Sequence, residues 1–177
     1  AVGLIGLLMT IVTTAVPLAA EGFSIEGNKG TELAAEQVAV FDEPWAMTFL
    51  PDGTFLVTEK RGVLWHVTRD GSKKEVQGLW EVAYGGQGGL GDVVLHPDFK
   101  RNHRVYVSYA ERADANDTIG AVVVRALLDP TRRLLTLAAV EKLWVQEPKV
   151  TGKGHYSHRI AFGPDGYLYV ALGDGGG

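Results

Sequence analysis

One plan recurs three times along the chain, and it limits the folds open to it. The segments "AMTFLPDGTFLVTEKRGVLWHV" (46–67), "GDVVLHPDFKRNHRVYVSYAE" (91–111) and "HRIAFGPDGYLYVALGDGG" (158–176) each carry an apolar run into a Pro-Asp turn and a pleat-compatible run out of it. Proline presets its own φ and a following glycine tolerates positive φ, so Pro-Asp-Gly suits a tight turn. The outgoing runs Phe55-Leu56-Val57, Val105-Tyr106-Val107 and Tyr167-Leu168-Tyr169-Val170 hold the aromatic and β-branched residues that favour strands. Three hairpins are predicted. Their prolines stand at 51, 97 and 164, intervals of 46 and 67 residues, which bracket the blade length of a β-propeller once one long loop is allowed. A single blade cannot bury both faces of its sheet; radial stacking buries them and leaves a central channel. A β-sandwich also buries sheet faces, but the repeated unit favours the propeller. The predicted class is all-β.

The flanking segments set the domain boundaries. Residues 1–20, "AVGLIGLLMTIVTTAVPLAA", are apolar and small, end in Ala19-Ala20 and precede the polar "EGFSIEGNKGTE". They read as the apolar region and cleavage end of an export signal peptide truncated at its start, with cutting after Ala20. Twenty apolar residues also match a membrane span. Three threonines and Pro17 favour export, so the mature chain is expected to lack a span and to be periplasmic or secreted. Residues 21–36 are polar and Gly-rich, a linker or an edge segment, and residues 37–177 hold the hairpins. "LLTLAAVEKLW" (134–144) is ambiguous, since Leu137, Val140 and Trp144 are spaced like a helical stripe between Pro130 and Pro148; we lean to a strand.

Composition removes several functions. The chain has no cysteine, which excludes disulfides, thiolate metal sites and cysteine nucleophiles. With a net charge of -4 and no basic run longer than Lys73-Lys74 or Arg132-Arg133, it has no electrostatic footprint for nucleic acid.

The stretch "GGQGGLGDVVLHPDFK" (85–100) places glycines at 86, 88 and 91 in the G-x-G-x-x-G pattern of dinucleotide-binding turns. That turn works only when a helix leaves it with its N-terminus toward the pyrophosphate. Here Val93 and Val94 disfavour a helix, and Pro97 arrives six residues after the last glycine. Glu111, at the spacing of a ribose-binding acid, follows the wrong kind of element. The match is read as accidental. Glycines before a strand also let backbone approach a ligand or fold tightly over a channel mouth. Gln87, the run's one functional side chain, offers a donor and an acceptor to a sugar hydroxyl, or else satisfies loop amides.

"KGHYSHRIAFGPDGYLYVALGDGG" holds the densest polar chemistry. A hairpin returns the chain near its start, which brings Asp174 toward His155; such a pair would fix the imidazole tautomer and raise its basicity, as a general base requires. The alternatives are a turn aspartate bonded to its own backbone and a solvated loop histidine. His155 and His158 as a metal pair is weaker, because an i, i+3 spacing faces one side only in a helix. His96 and His103 read as surface residues, Arg159 as a loop anchor, and Asp52, Asp98 and Asp165 as turn formers.

At "PWAMTFLPDGTFLVTEKRGVLW", "GGQGGLGDVVLHPDFKRNHRVYVSYAE" and "HYSHRIAFGPDGYLYVALGDGG" the chain resembles the soluble quinoprotein glucose/sorbosone dehydrogenases, most closely their aldose sugar dehydrogenase branch. The resemblance implies a six-bladed β-propeller of which residues 37–177 are about the first half, exported, binding pyrroloquinoline quinone (PQQ) and calcium. It implies oxidation of the C1 hydroxyl of an aldose, with a small-molecule sugar as substrate and an external electron acceptor. His155 would take the hydroxyl proton, Asp174 would hold that histidine, and Gln87 would lie at the substrate. The quinone-binding cations and calcium ligands are expected beyond residue 177, so residues 1–177 alone are expected to be inactive and poorly soluble. Two departures stand out: Ser157-His158 where the family has a small pair ending in glycine, and Gly154 where some glucose oxidisers have an aspartate. The alternative function is a non-catalytic extracellular propeller binding glycans or proteins; a calcium-dependent lactonase is a third reading, disfavoured because it needs no glycine-glutamine loop.

Overall fold

A computed structural model describes residues 22–113, 117–129, 136–152 and 154–173. The expected export segment, residues 1–20, lies outside the described residues. The chain divides into two compact units at Val38.

Within the first unit, where the sequence suggests a linker or an edge segment, the chain pairs with itself. Strands β1 (Gly22–Glu26) and β2 (Glu32–Glu36) form an antiparallel hairpin with Ser24 opposite Ala34.

The second unit is built from meanders. Strands β3 (Pro44–Phe49), β4 (Phe55–Glu59), β5 (Val63–Val67) and β6 (Lys73–Glu75) form one antiparallel sheet in chain order. Strand β7 (Leu90–Leu95), the short helix α1 (Phe99–Asn102), then β8 (Arg104–Arg112), β9 (Ile119–Asp129) and β10 (Thr136–Val145) give a second four-stranded sheet, also in chain order. Strands β11 (Ile160–Phe162) and β12 (Leu168–Val170) form a two-stranded sheet.

Each predicted hairpin is the first strand pair of a sheet. In the first, Leu50 and Thr54 close the turn, Gly53 takes φ 84°, and the Asp52 carboxylate accepts the Thr54 N–H. The third is built alike, with Gly166 at φ 82° and Asp165 accepting the Tyr167 N–H. The second departs from a tight turn: no glycine follows Asp98, and α1 fills the corner, ending at His103 with φ 50°. His96 is half-buried rather than a surface residue. Its Nδ1 accepts the Asp98 N–H, and its ring lies against Tyr106 and Phe162.

The ambiguous segment 134–144 is a strand over its described part, β10. Its helix-like spacing comes from two register shifts, between Ala138 and Glu141 and between Lys142 and Trp144, which break the two-residue alternation.

Burial shows how the sheets use both faces. Leu56, Leu64, Val93, Val105, Val107, Val122 and Val124 share one core cluster with residues of both four-stranded sheets. Tyr106 and Val123, the alternate residues of β8 and β9, belong to another with Ile160, Phe162, Leu168 and Val170. Adjacent residues of one strand thus bury against different neighbours, which is why β8 and β9 read as near-continuous apolar runs. The first strands are neighbours as well: β3 packs against β7, and β7 against β11.

Candidate functional site

Because β3, β7 and β11 pack side by side, the segments that enter them converge. Trp45 at the start of β3, Gln87 before β7, and His155 and Ser157 before β11 line a cleft of about 400 Å³ that Gly173 completes after β12. A larger cavity of about 690 Å³ is lined by Tyr84, Glu111, Arg112, Lys142 and Lys149 among others. Its cations are already matched: both lysines bind the Glu111 carboxylate and Arg112 binds Asp117. Burial alone would raise the Glu111 carboxyl, but hydrogen bonds from Lys142, Lys149 and Tyr109 outweigh it and bring it down to about 2. Glu111 is an ion-paired strand residue, as the rejection of a ribose-binding role requires.

The smaller cleft joins two of the three residues singled out in the sequence. The Gln87 side-chain oxygen accepts the His155 backbone N–H at 2.7 Å. Its acceptor therefore serves the loop amide, and what the side chain can present to a ligand is its amide N–H donors. His155 and Gln87 are both exposed. The third residue, Asp174, lies outside the described residues. The hairpin does return to its start: Ala171 N–H donates to the Arg159 carbonyl, and a Cβ placed on Gly173 would fall 1.6 Å from the His155 carbonyl oxygen.

The loop before β11 holds an unusual backbone. His155, Ser157 and His158 have φ of 55°, 58° and 60°, the left-handed region that costs a non-glycine residue on the order of 1 kcal/mol or more and persists only when surroundings impose it. The surroundings here are specific. Besides Gln87, the Tyr156 hydroxyl donates to the Gly152 carbonyl, and Ser108 Oγ donates to the His158 carbonyl at 2.6 Å.

Asp92, which the sequence reading passed over, sits in β7 at 1% exposure. Its Oδ2 accepts the Ile160 N–H at 3.0 Å and the Arg159 guanidinium at 3.2 Å, Oδ1 accepts the Val93 N–H, and its own N–H donates to Ser108 Oγ. Arg159 anchors the loop through this carboxylate rather than through carbonyls. The available signal was a lone carboxylate inside the apolar run "LGDVVL", since a buried charge must be paired. Trp45 carried no signal beyond its place at a strand start.

His158 occupies an environment unlike that of His155. It is 3% exposed, with neither ring nitrogen in a well-formed hydrogen bond. Its ring packs edge-on to Trp45 and against Tyr156, directly over Gly91, where an added Cβ would meet the ring at 2.4 Å. Burial brings its pKa down to about 4, opposed weakly by the nearby Gln87 carbonyl. The bulky departure at 158 therefore lies beneath the cleft rather than in it.

Comparison with known proteins follows the same residues. The glucose / sorbosone dehydrogenase family matches residues 41–177. Aldose sugar dehydrogenase YliI of Escherichia coli (strain K12) is 37% identical over 135 residues, covering 75% of this chain and 36% of its own length. The PQQ-bound form of aldose sugar dehydrogenase from Streptomyces coelicolor superposes with a TM-score of 0.71 at 30% identity, over 89% of this chain and 44% of that one. Human hedgehog-interacting protein is 30% identical over 96 residues, 51% of this chain and 13% of its own. The chain thus spans less than half the length of each of these three proteins.

Proposed function

The chain belongs to the glucose/sorbosone dehydrogenase family, and on that premise we propose that the intact protein oxidises the C1 hydroxyl of an aldose to a lactone. The same proposal takes residues 37–177 as the first blades of a six-bladed β-propeller that follows an export signal, places the protein in the periplasm or outside the cell, and includes PQQ, calcium and an external electron acceptor. The observation that carries it is the cleft where Gln87 holds the backbone of an exposed His155 at the converging starts of three first strands.

Neither cofactor fits the described residues alone. Trp45, Gln87, His155, Ser157 and Gly173 include no lysine or arginine for a carboxylate-bearing quinone and no carboxylate for calcium. Among the described residues no group of three metal-ligating side chains occurs. Both groups are therefore assigned to the portion of the relatives' length that this chain does not span.

What this chain contributes is proton removal. An imidazole in contact with the C1 hydroxyl takes its proton, and the alkoxide character left behind weakens the adjacent C–H bond toward hydride loss. Gln87 fixes the histidine's backbone and offers N–H donors to a neighbouring sugar oxygen. The proposed partner of His155 is Asp174, which would hold the tautomer that leaves the reacting nitrogen free to accept. Replacing His155 with alanine in the intact, cofactor-loaded protein is expected to lower sugar-dependent dye reduction roughly a hundredfold while the quinone still binds. Turnover near that of the unaltered protein would remove His155 from the reaction.

A second reading, a non-catalytic extracellular propeller that binds glycans or proteins, is favoured by the likeness to hedgehog-interacting protein, whose name is that of a binding partner. Dye reduction by the intact protein with quinone, calcium and a panel of aldoses separates the two. No reduction with any sugar favours binding.

A further inference from the structure

We propose that Asp92 is a positioning residue for the loop that carries His155, acting through its carboxylate on Arg159 and the Ile160 N–H, with Ser108 holding the His158 carbonyl beside it; the inference rests on His155 being the proton acceptor of the reading above. A carboxylate at 1% exposure in β7 does nothing for packing that an apolar residue would not do at lower cost. Its Oδ2 instead reaches out of its own sheet. Oδ2 takes the Ile160 N–H and the Arg159 guanidinium, at the entry to β11. Its own N–H bonds Ser108 Oγ, and the Ser108 hydroxyl donates to the His158 carbonyl. Three consecutive residues, 158 to 160, are thereby tied to β7 and β8. The far end of the same loop is tied by Gln87 at the His155 N–H.

This double anchoring explains the left-handed backbone. A loop with positive φ at 155, 157 and 158 relaxes unless both ends are held. Gln87 holds the histidine end from the exposed rim, and Asp92 holds the strand end from the core. Loss of the buried anchor lets residues 155–158 leave these conformations, and the His155 imidazole then no longer meets the hydroxyl that the cleft presents.

The test compares Asp92→Asn and Ser108→Ala with the buried control Val124→Ala in the intact protein. The decisive readout is hydrogen exchange at the His155 amide, which is bonded to Gln87 and not to Asp92. Both anchor variants are expected to exchange this amide at least tenfold faster, with the control unchanged. They are also expected to lower kcat roughly ten- to hundredfold with little change in KM for the sugar. Unchanged exchange at His155 in the anchor variants, or equal acceleration in the control, overturns the proposal. So does accelerated exchange with kcat intact. If Asp92→Asn fails to fold, Arg159→Ala, which removes the guanidinium from the same carboxylate at an exposed position, is expected to accelerate the His155 exchange likewise, and unchanged exchange there overturns the proposal. Should the unaltered protein oxidise no sugar, the function proposed above falls while exchange at His155 still decides whether Asp92 holds the loop.

Discussion

His158 combines a backbone cost and a polar one beneath the cleft. Its φ of 60° suits glycine, its two ring nitrogens lack well-formed hydrogen bonds, and its ring is buried against Trp45 and Tyr156. Relieving the backbone is worth about 1 kcal/mol, and removing unsatisfied polar atoms about 1–3 kcal/mol. Deleting a buried ring leaves a cavity that costs about 2–4 kcal/mol. The terms nearly cancel at neutral pH. They do not cancel in acid. The unfolded histidine binds its proton near pH 6.5 and the folded one only near 4. Between those values the unfolded chain holds more protons, so stability falls as pH drops, by up to about 1.4 kcal/mol per unit. His158→Gly in the intact protein is therefore expected to match the unaltered protein within about 1 kcal/mol at pH 7 and to exceed it by roughly 2 kcal/mol at pH 5. Urea unfolding at the two pH values checks this, and parallel pH dependence in both proteins would contradict it. Glu111 does not confuse the measurement. Its folded pKa is lowered, so the stability it contributes is present above its ordinary 4.5 and is lost as pH falls from there toward about 2.

The contact between β7 and the loop entering β11 is where glycine is required. A Cβ on Gly91 would lie 2.4 Å from the His158 ring, and one on Gly89 would lie 2.0 Å from the Lys60 carbonyl. Two of the three glycines of the G-x-G-x-x-G spacing, Gly91 and Gly88, where a Cβ would lie 2.9 Å from the Ala83 carbonyl oxygen, thus serve close packing. Gly91→Ala is expected to destabilise the intact protein by about 1–3 kcal/mol through overpacking, and His158→Gly to restore most of that loss in the double variant. A double variant no better than Gly91→Ala would show that the ring is not what the methyl meets. The hairpins were legible in the sequence because turn residues and pleat-compatible runs act locally, at Pro51, Pro97 and Pro164. Strand β10 was legible only as a leaning, because its bulges shift apolar positions off the two-residue period. Gln87 and His155 were legible as residues worth attention. That Gln87 serves a loop amide was one of its two readings, but which amide was not legible, since the contact closes 68 residues of sequence to 2.7 Å. Asp92 and the burial of His158 escaped for the same reason. Each is defined by what packs on it from another strand or loop.

Over the whole second unit, apolar surface remains where a closed ring would need it. Among the described residues strand β3 pairs only with β4, and its alternate residues Met47 and Phe49 are 55% and 62% exposed. On the third sheet Tyr169 is 56% exposed, with Leu172 just beyond β12 at 56%. Such residues exposed singly need no explanation, but a row along one face of an edge strand is a surface that something covers. The ring proposed above supplies the cover, with further blades packing on β3 and on the third sheet. This gives a test that needs neither sugar nor quinone. An exposed residue tolerates substitution within about 0.5 kcal/mol, whereas a charge placed in a packed interface between sheets costs several kcal/mol. Phe49→Glu is expected to cost the intact protein at least about 3 kcal/mol in urea unfolding. In residues 1–177 alone the same change is expected to reduce self-association and binding of an apolar dye, because there it removes uncovered apolar area. A negligible cost in the intact protein would mean that β3 faces solvent in the whole molecule, and the closed ring would have to be abandoned.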